Sequence, residues 1–383
     1  MSPSRLREGE GRGSKAVKKI SLTVFLLLFT LGSALSAADS ATVSFIGDCS
    51  LGDAYPYHAY GEVIEREGDD WSFSLVQEWL AADDLTVANL EVVLTENTKH
   101  KDKMYALRGK PDYAAVLTAG SVEVVNTVNN HCEDFYRSGY LDTLAALDAE
   151  GVDRFGCNNP DGNNGVDDLL VREVNGIRFG FIGFSYPQTA DVQRIEKRVK
   201  LLKEERGCDL VVVSLHWGRE EHDTPTTGQL DYAKRVLDAG ADMIYGHHPH
   251  VLQQICFYQG KPILFSTGNF TFGTMSRVDP ATGIFQLTWE KTEAGVALRK
   301  LEVIPCQTTL GPDYRPFPLE DQEARESVWA KLRFSDKTWA KWTKAQKYAD
   351  FTTLPETFLT TGVVYLDEEN ADESAPAENE TRK

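Results

Sequence analysis

Three histidines within four residues form the stretch of this sequence with the clearest chemical potential. The segment Met243–Val251 reads Met-Ile-Tyr-Gly-His-His-Pro-His-Val, and the apolar run leading into it predicts a buried strand that ends at Gly246. Open α/β sheets bind ligands at such strand ends, where several loops converge. Pro249 has a fixed φ and no N–H, which favours holding His248 and His250 towards one point. Neutral imidazole is the commonest metal-ligating side chain; hydrogen-bonded loop histidines are the alternative.

The same pattern, a predicted strand ending at a polar side chain, recurs along the chain. The side chains concerned are Asp48, Glu91, Asn130, His131, His216, His248 and His250. Individually they have ordinary explanations, and an Asx turn or a helix N-cap would account for Asp48. Together, two carboxylates, one amide and four imidazoles suit Mn²⁺, Zn²⁺ or Fe, whereas an all-oxygen set would suit Mg²⁺ or Ca²⁺. They exceed one tetrahedral shell, so the sequence favours two metals, which together activate water for in-line displacement.

An alternation of strands and helices would bring these side chains to one edge. The sequence therefore predicts an α/β fold. Residues 208–215 are apolar on both faces, which is typical of a central strand covered on two sides. The other predicted strands are 41–46, 85–88, 122–128, 178–184, 240–245 and 262–266, with an antiparallel pair at 284–289 and 296–304. The predicted helices are 71–80, 139–150, 192–206 and 228–239.

The ends of the chain differ from its middle. Residues 1–38 combine six basic side chains, an apolar run at 20–31 and small residues before Ala38, a pattern typical of an export signal. The run is too short for a comfortable membrane span, so we expect cleavage near Ala38 and an extracellular, cell-surface or periplasmic protein; an uncleaved membrane anchor is the alternative. Residues 39–306 are the predicted main domain and 307–366 a helical extension. The acidic residues 367–383 are predicted to be disordered.

Charge narrows the possible partners. The net charge is −18, and without the six basic and two acidic residues of segment 1–38 it becomes −22. Such an acidic domain is a poor candidate for binding nucleic acid or anionic lipid. The basic loop Thr95–Pro111 is either a cationic wall beside the site or a solvated loop. Six cysteines show no CxxC spacing and define no pairing, and we expect Cys208 and Cys256 to be core thiols.

Taken in order, these motifs resemble the CapA-type family of capsule-synthesis and poly-γ-glutamate-biosynthesis proteins, a branch of the calcineurin-like metallophosphoesterase superfamily. The resemblance covers roughly residues 42–306. The matching motifs are Gly47-Asp48 with Leu51-Gly52, Asn89-Leu90-Glu91, Asn129-Asn130-His131 with Asp134, His216-Trp217-Gly218 with Pro225 and Gln229, Ala239 to Asp242 with Gly246 to Val251, and Ser266 to Phe270.

The resemblance implies a four-layer α/β/β/α sandwich with two metals at one edge. By the superfamily's pattern, Asp48 and His250 would hold one metal, Glu91 would bridge, and His131 would act as general acid or stabilise the transition state. The second metal would take Asn130, His216 and His248. The sequence departs from the superfamily where Asp-x-His becomes Asp48-Cys49-Ser50 and Gly-Asp-x-x-Asp becomes Asn89-Leu90-Glu91. The first metal thereby loses an imidazole; Asp53 or His247 would compensate, and Asn269 is a further candidate.

Three functions remain open from the sequence. The first is a metal-dependent hydrolase of a phosphoester or an extracellular polymer. The second is a non-catalytic partner in a cell-surface complex that synthesises or exports capsule or poly-γ-glutamate. In this case Trp329, Trp339 and Trp342 would be either an exposed docking stripe or, as we expect, part of the core. The third is a plain metal- or ligand-binding surface protein.

Overall fold

The computed structural model describes residues 40–156, 168–272, 278–309, 311, 313–344 and 348–366. The predicted signal segment, the acidic tail and Cys157 lie outside these residues. In the described part of the chain, no helix combines the length and apolarity needed to cross a membrane. The five cysteines of that part are buried free thiols, and Cys208 and Cys256 pack in the core as predicted.

Strands and helices alternate along most of the chain, which confirms the predicted α/β class. The strands are β1 Ser40–Cys49, β2 Asp53–Ala54, β3 Leu85–Leu90, β4 Val93–Leu94, β5 Leu107–Gly109, β6 Val124–Asn126, β7 Asp153–Phe155, β8 Leu169–Val174, β9 Ile177–Ser185, β10 Leu210–His216, β11 Met243–His247, β12 Ile255–Tyr258, β13 Lys261–Leu264, β14 Asn269–Thr271, β15 Ala281–Thr292, β16 Gly295–Thr308, β17 Pro316–Pro318, β18 Phe351–Thr353 and β19 Val363–Tyr365.

The helices vary widely in length. They are α1 Ala59–Glu67, α2 Gln77–Leu80, α3 Ala115–Ala119, α4 Tyr136–Glu150, α5 Asp191–Lys200, α6 Thr227–Asp238, α7 Gln322–Leu332, α8 Asp336–Thr343 and α9 Phe358–Thr361. The predicted helix 71–80 is instead a 3₁₀ turn, Trp71–Phe73, followed by the short α2. The predicted helix 192–206 corresponds to α5 and a π-helical turn, Leu201–Glu205.

The strands form two large sheets and a small one among the described residues. The first large sheet has the order β17-β16-β15-β1-β3-β6-β7, with β14 beside β1 and β19 beside β16. The second has the order β18-β12-β13-β11-β10-β9-β8, and β2-β5-β4 form the small sheet. Strands β1, β3 and β6 are parallel neighbours, as are β9, β10 and β11. Strands β15 and β16 form the predicted antiparallel pair.

Three large groups of buried apolar side chains account for most of the packing among the described residues. One group joins inward-facing residues of both large sheets, such as Phe45 and Val212. A second group packs the other face of the first sheet against residues of α1 to α4, including Val116 and Leu147. The third packs the other face of the second sheet against α5, α6 and α8. Strand β10 contributes to the first and third groups, so it is covered on both sides as predicted.

The strand ends of the two large sheets are tied together. The Tyr245 hydroxyl of β11 donates to the backbone carbonyl of Ile46 in β1 and lies 3.1 Å from the carbonyl oxygen of Val87 in β3. A Cβ atom on Gly47 would lie 2.2 Å from the Gly268 carbonyl oxygen, which only glycine allows. These contacts fix the carboxyl ends of β1, β3 and β11 beside one another.

The described residues of segment 307–366, the predicted helical extension, form helices α7, α8 and α9 and also three short strands that the sequence did not reveal. Strands β17 and β19 pair with β16 of the first sheet, and β18 pairs with β12 of the second. Trp329 and Trp342 are buried, and Trp339 packs partly buried against the third apolar group. The tryptophans therefore belong to the core, as expected, rather than to an exposed stripe.

Candidate metal centre

The carboxyl ends of the first sheet's strands supply the predicted oxygen ligands. Asp48 is the penultimate residue of β1, Glu91 follows β3 directly, and both side chains are fully buried. The register of the parallel strands places Asp48 opposite Asn89. The Asn89 amide nitrogen donates to Asp48 Oδ1 at 2.8 Å and lies 3.5 Å from Glu91 Oε2. Asn89 therefore links the two carboxylates, a role that the sequence did not predict.

The second sheet supplies the imidazoles. His216 ends β10, His247 ends β11, and the parallel register pairs these two residues. Beyond β11 the chain turns around Pro249, with φ of 96° at His248 and 59° at His250. Left-handed backbone is costly for residues with a Cβ and persists where its surroundings hold it. One ligand nitrogen of His248 and one of His250 lie within 4.8 Å of each other, so the turn brings both rings together as predicted.

Glu91 Oε1 lies at the centre of the arrangement. Its distances to the Nε2 atoms are 3.7 Å for His216, 3.8 Å for His250 and 4.0 Å for His131. This oxygen is buried and has no hydrogen-bond partner among the described residues. A buried carboxylate oxygen without a donor is costly unless a cation or a water satisfies it. Imidazole nitrogens and carboxylate oxygens are ligands of divalent transition metals, so this donor set fits such a metal.

The donor atoms fall into two groups. Asp48, Glu91 and His216 form one, and Glu220, His248 and His250 form the other; within each group the ligand atoms lie within 4.8 Å of one another. Asn130 Oδ1 lies 2.9 Å from His216 Nε2, which places the predicted amide beside the first group. The sequence did not single out Glu220, whose exposed carboxylate joins two of the predicted histidines. Its position four residues after His216 was the available signal.

Neighbouring side chains orient two of the histidines. His250 Nδ1 lies 2.9 Å from Asn269 Oδ1 and 3.4 Å from Asp48 Oδ2, so the ring bridges a predicted ligand and a secondary candidate. His248 Nε2 lies 3.2 Å from the hydroxyl of Tyr186, and their ring centroids are 5.0 Å apart. Partners of this kind fix the tautomer and direction of a ligand ring.

The other two secondary candidates differ in position. His247 reaches the centre, since its Nδ1 atom lies 3.0 Å from Asp48 Oδ1. Asp53 contacts helix α1 instead: its Oδ2 atom accepts from the backbone N–H of Tyr60 at 2.8 Å. The structure therefore gives Asp53 a local role in which its carboxylate satisfies the start of a helix.

His131 belongs to a hydrogen-bonded chain at the edge of the centre. Its Nδ1–H donates to Asp134 Oδ2 at 2.7 Å, which leaves Nε2 directed towards Glu91. The Lys103 ammonium lies 2.6 Å from Asp134 Oδ1, 3.2 Å from His131 Nδ1 and 3.2 Å from the backbone oxygen of Asn130. One lysine of the basic loop thus reaches the site, while Lys101 pairs with Glu133.

The electrostatics separate neutral from charged groups. Burial and the neighbouring His248 hold the pKa of His216 well below its usual value. Burial and His250 lower the pKa of His248 to about 4, and burial lowers the pKa of His131 despite Asp134. Burial would also lower the pKa of His250, but Glu91 and Asp48 outweigh it and raise that pKa to about 10. His216 and His248 are therefore neutral near pH 7, the form in which imidazole binds metals.

The two carboxylates respond oppositely to burial. Burial and the charge of Asp48 raise the pKa of Glu91 well above its usual value. Burial would also raise the pKa of Asp48, but contacts with His247 and His250 hold it well below its usual value. A positive charge at the centre would therefore stabilise the ionised form of Glu91 most.

Facing strand ends of two sheets, bearing carboxylates, an amide and imidazoles, define an α/β protein with a candidate metal centre. The model of the family described as "Bacterial capsule synthesis protein PGA_cap" matches residues 42–274. This range is more than half of the chain and contains every predicted ligand. The chain belongs to this CapA-type family, which confirms the resemblance drawn from its motifs.

Named relatives agree with this assignment. The chain is 30% identical to the capsule biosynthesis protein CapA of Bacillus anthracis over 80% of this chain and 76% of the relative. It is 31% identical to the PGA biosynthesis protein CapA of Bacillus subtilis over 61% of this chain and 64% of the relative. A probable polyglutamine synthesis accessory protein of Mycobacterium tuberculosis is 30% identical over 52% of this chain and 58% of the relative.

Proposed function

We propose that this chain is an exported protein of capsule or poly-γ-glutamate synthesis that hydrolyses a phosphoester-like bond at a two-metal site. The observation that carries the hydrolase proposal is Glu91 Oε1, which is buried, unpartnered among the described residues and within 4.0 Å of three imidazole nitrogens. The names of the relatives support the pathway, and the N-terminal signal pattern supports export to the periplasm, the cell surface or the medium.

Six predicted ligands would hold two divalent transition metals, Mn, Zn or Fe. They are Asp48, Glu91, Asn130, His216, His248 and His250. Bound metals of this kind polarise the oxygens of an ester and lower the pKa of water. The mixture of imidazole and oxygen donors is the chemistry that suits these borderline cations. Glu220, which shares a donor group with His248 and His250, would supply an additional oxygen.

His131 would donate a proton to the leaving oxygen of the substrate. Its Nδ1–H is fixed on Asp134, so the ring would first take up a proton at Nε2, the atom nearer Glu91, and as the imidazolium would transfer that proton and return to the neutral form. Lys103 shares Asp134 with His131, which holds the carboxylate and restricts rotation of the imidazole. A ring fixed in this way is pre-oriented for general acid catalysis.

We also propose the four-layer α/β/β/α arrangement implied by the family resemblance. The three apolar groups support it, because one lies between the large sheets and the other two lie between each sheet and helices. In such a sandwich the strand ends of both sheets open onto one edge. That edge would carry the metals and receive the substrate.

The first experiment is metal analysis of protein purified without chelator, by elemental mass spectrometry, beside the double variant His248→Ala/His250→Ala. We expect about two equivalents of Mn, Zn or Fe in the parent protein and a loss in the variant. Trace metal in both proteins would refute the two-metal site. A phosphoester panel follows, with His216→Ala as its control; equal inactivity of the metal-loaded parent and the variant would rule out phosphatase activity.

The second candidate function is a non-catalytic partner in a complex that synthesises or exports the polymer. It is favoured by the name of the mycobacterial relative, which describes an accessory protein. A net charge of −18 would repel a polyanionic product except near local positive charge, such as metals or the basic loop Thr95–Pro111. Under this alternative, the His216→Ala variant would restore polymer synthesis in a deletion strain. If the protein acts as a hydrolase, the same variant would not restore it.

A further inference from the structure

A cavity of about 300 Å³ lies next to the candidate metal centre and is not part of it. Tyr186 is the shared wall: it lines the cavity, and its hydroxyl lies 3.2 Å from His248 Nε2. Trp217, the residue after His216, lines the cavity as well. If the reacting group of a substrate is held at the metals, the neighbouring part of that substrate would therefore lie in this cavity.

Aromatic rings form the apolar walls of the cavity. The ring centroids of Trp217 and Tyr232 are 6.2 Å apart, and the indole N–H of Trp217 donates to the backbone oxygen of Phe265 at 3.0 Å. Trp217 is therefore fixed, with its one donor already used. Tyr186 is 46% exposed, which leaves its ring accessible from solvent. These walls suit a short apolar stem.

Arg219 brings a positive charge to the lining of the same cavity. The guanidinium of Arg219 lines it, is exposed, and has neither an ion pair nor a hydrogen bond with any described residue. Helix α6 also begins here. Its capping box uses the N–H groups of Thr226 and Gln229, whereas the N–H of Gly228, another lining residue, precedes the first intrahelical bond. Helix N-termini attract anions, and a guanidinium binds carboxylate or phosphate in bidentate geometry.

We propose that this cavity binds an oxyanion, a carboxylate or a phosphate, carried on a short apolar stem of the substrate whose reacting group lies at the metal centre. The assignment rests on the proposed function, since the metal centre defines where the rest of the substrate lies. Arg219 supplies the charge, and Tyr186, Trp217 and Tyr232 enclose the stem. The cavity would thereby select anionic substrates in a protein whose net charge otherwise repels them.

Calorimetric titration of the full chain with two probes tests the proposal. γ-Glutamylglutamate supplies carboxylates and phenyl phosphate supplies a phosphate. The variants are Arg219→Gln, Arg219→Lys and the matched control Arg66→Gln, which removes the same charge from helix α1. We expect Arg219→Gln to weaken binding of the preferred probe about tenfold, Arg219→Lys to weaken it less, and Arg66→Gln to leave it unchanged. The preferred probe identifies which oxyanion the cavity selects.

Two results would overturn the proposal: no detectable binding of either probe, or equal affinities for the parent protein and Arg219→Gln. Metal analysis of the same samples tests the two-metal site separately from the anion subsite. Arg219-dependent binding in a protein that holds no metal would refute the two-metal site and retain the anion subsite. Full metal content with binding that is independent of Arg219 would refute the anion subsite and retain the two-metal site.

Discussion

Carboxylates occupy both ends of the parallel strands, but they are satisfied in opposite ways. At the amino ends, an acidic residue directly precedes each of β3, β6, β10 and β11 and accepts a backbone N–H from the neighbouring strand. The four pairs are Asp84 with Thr42 at 2.8 Å, Glu123 with Thr86 at 2.8 Å, Asp209 with Arg178 at 2.8 Å and Asp242 with Val211 at 2.7 Å. At the carboxyl ends, Asp48 and Glu91 face imidazoles, and Glu91 Oε1 has no described donor.

This difference in hydrogen bonding separates carboxylates that stabilise the fold from carboxylates that are available to bind a metal or a ligand. A carboxylate that accepts a backbone N–H completes the hydrogen bonding of a sheet edge and stabilises the folded state. A fully buried carboxylate without a donor destabilises the protein unless a cation or a ligand satisfies it. Strain at His248 and His250 lies at the same end. Substitutions should therefore affect stability at the amino ends and metal binding at the carboxyl ends.

The largest effect is expected for Glu91→Gln. The amide preserves the shape of the side chain but removes a negative charge from the first donor group, and this charge lies 3.8 Å from His250 Nε2 of the second group. Metal affinity and hydrolysis should fall by at least about 100-fold, because even an outer-shell partner of a metal is worth 10–100-fold. The measurements are metal content and turnover of the best phosphoester. Thermal unfolding of the metal-free protein should not shift downwards, since burying a neutral amide costs less than burying a charge.

Glu123→Gln provides the matched control for this substitution at the amino end. The carboxylate of Glu123 accepts from Thr86 N, and the side-chain amide oxygen of the variant would accept in the same way, so metal content should remain that of the parent. A comparable loss of metal in Glu91→Gln and Glu123→Gln would show that carboxylates at the two strand ends do not differ in metal binding.

The second effect is on stability. Asp242→Ala leaves the Val211 N–H without its acceptor and removes the contact with Lys203 at 2.8 Å. We expect the free energy of unfolding in urea to fall by about 1–3 kcal/mol, the cost of leaving a buried donor unsatisfied. Asp238→Ala is the comparison, since this carboxylate binds the side chains of Lys234 and Tyr258 instead of a strand N–H. Loss of metal from Asp242→Ala would contradict the separation of stability at the amino ends from metal binding at the carboxyl ends.

The sequence predicted the long strands, and it singled out most residues of the candidate site for one physical reason. Buried strands are continuous apolar runs, so the polar residue that ends each run stands out, as with Asp48 and His216. The short strands β2, β4 and β17 have two or three residues and no periodicity to detect. Their existence depends on pairing with distant residues. Helix α1 was likewise missed, although it buries Val63 and Ile64.

Site residues outside strand ends were harder to predict. Glu220 is exposed and joins the site only because the loop after β10 returns to the histidine turn. Lys103 lies in a basic loop, and its position depends on Asp134, which is 31 residues further along the chain. Asp53 had the expected residue type beside a predicted ligand, but helix α1 takes its carboxylate. In each of these cases tertiary contacts, rather than local sequence, decide the role.

The third prediction concerns Asp134, the carboxylate near the site that is fully satisfied, by His131, Lys103 and the Leu107 N–H. Lys103→Met should reduce kcat on a phosphoester about tenfold with little change in metal content, because the pair that orients His131 loses one support. Lys103→Arg should restore much of the loss. Lys101→Met is the matched control, since Lys101 pairs with Glu133 instead. An equal loss of kcat in both methionine variants would show that only the charge of the loop matters.

The smallest expected effect is the pH dependence of stability that arises from Asp83, near the amino end of β3. Burial, aided by the charges of Glu123 and Asp84, raises the pKa of Asp83 from its ordinary value of 3.8 to about 7. Between these values the folded protein retains a proton that the unfolded chain has lost. Stability should therefore fall as the pH rises from about 4 to about 7, and the contribution of Asp83 should be constant above that window. Solvent screening limits the change to the order of 1 kcal/mol.

Asp83→Asn removes this titration, so urea unfolding between about pH 5 and pH 8 should show a shallower decline for the variant than for the parent. The Thr86 hydroxyl, which donates to Asp83 at 2.9 Å, would still have the amide oxygen as an acceptor. An unchanged slope would mean that the proton is bound elsewhere in the folded protein, and Glu123, whose pKa burial also raises, would be the next residue to replace. In either case the titration should leave metal content unaffected, because Asp83 lies at the end of β3 away from Glu91.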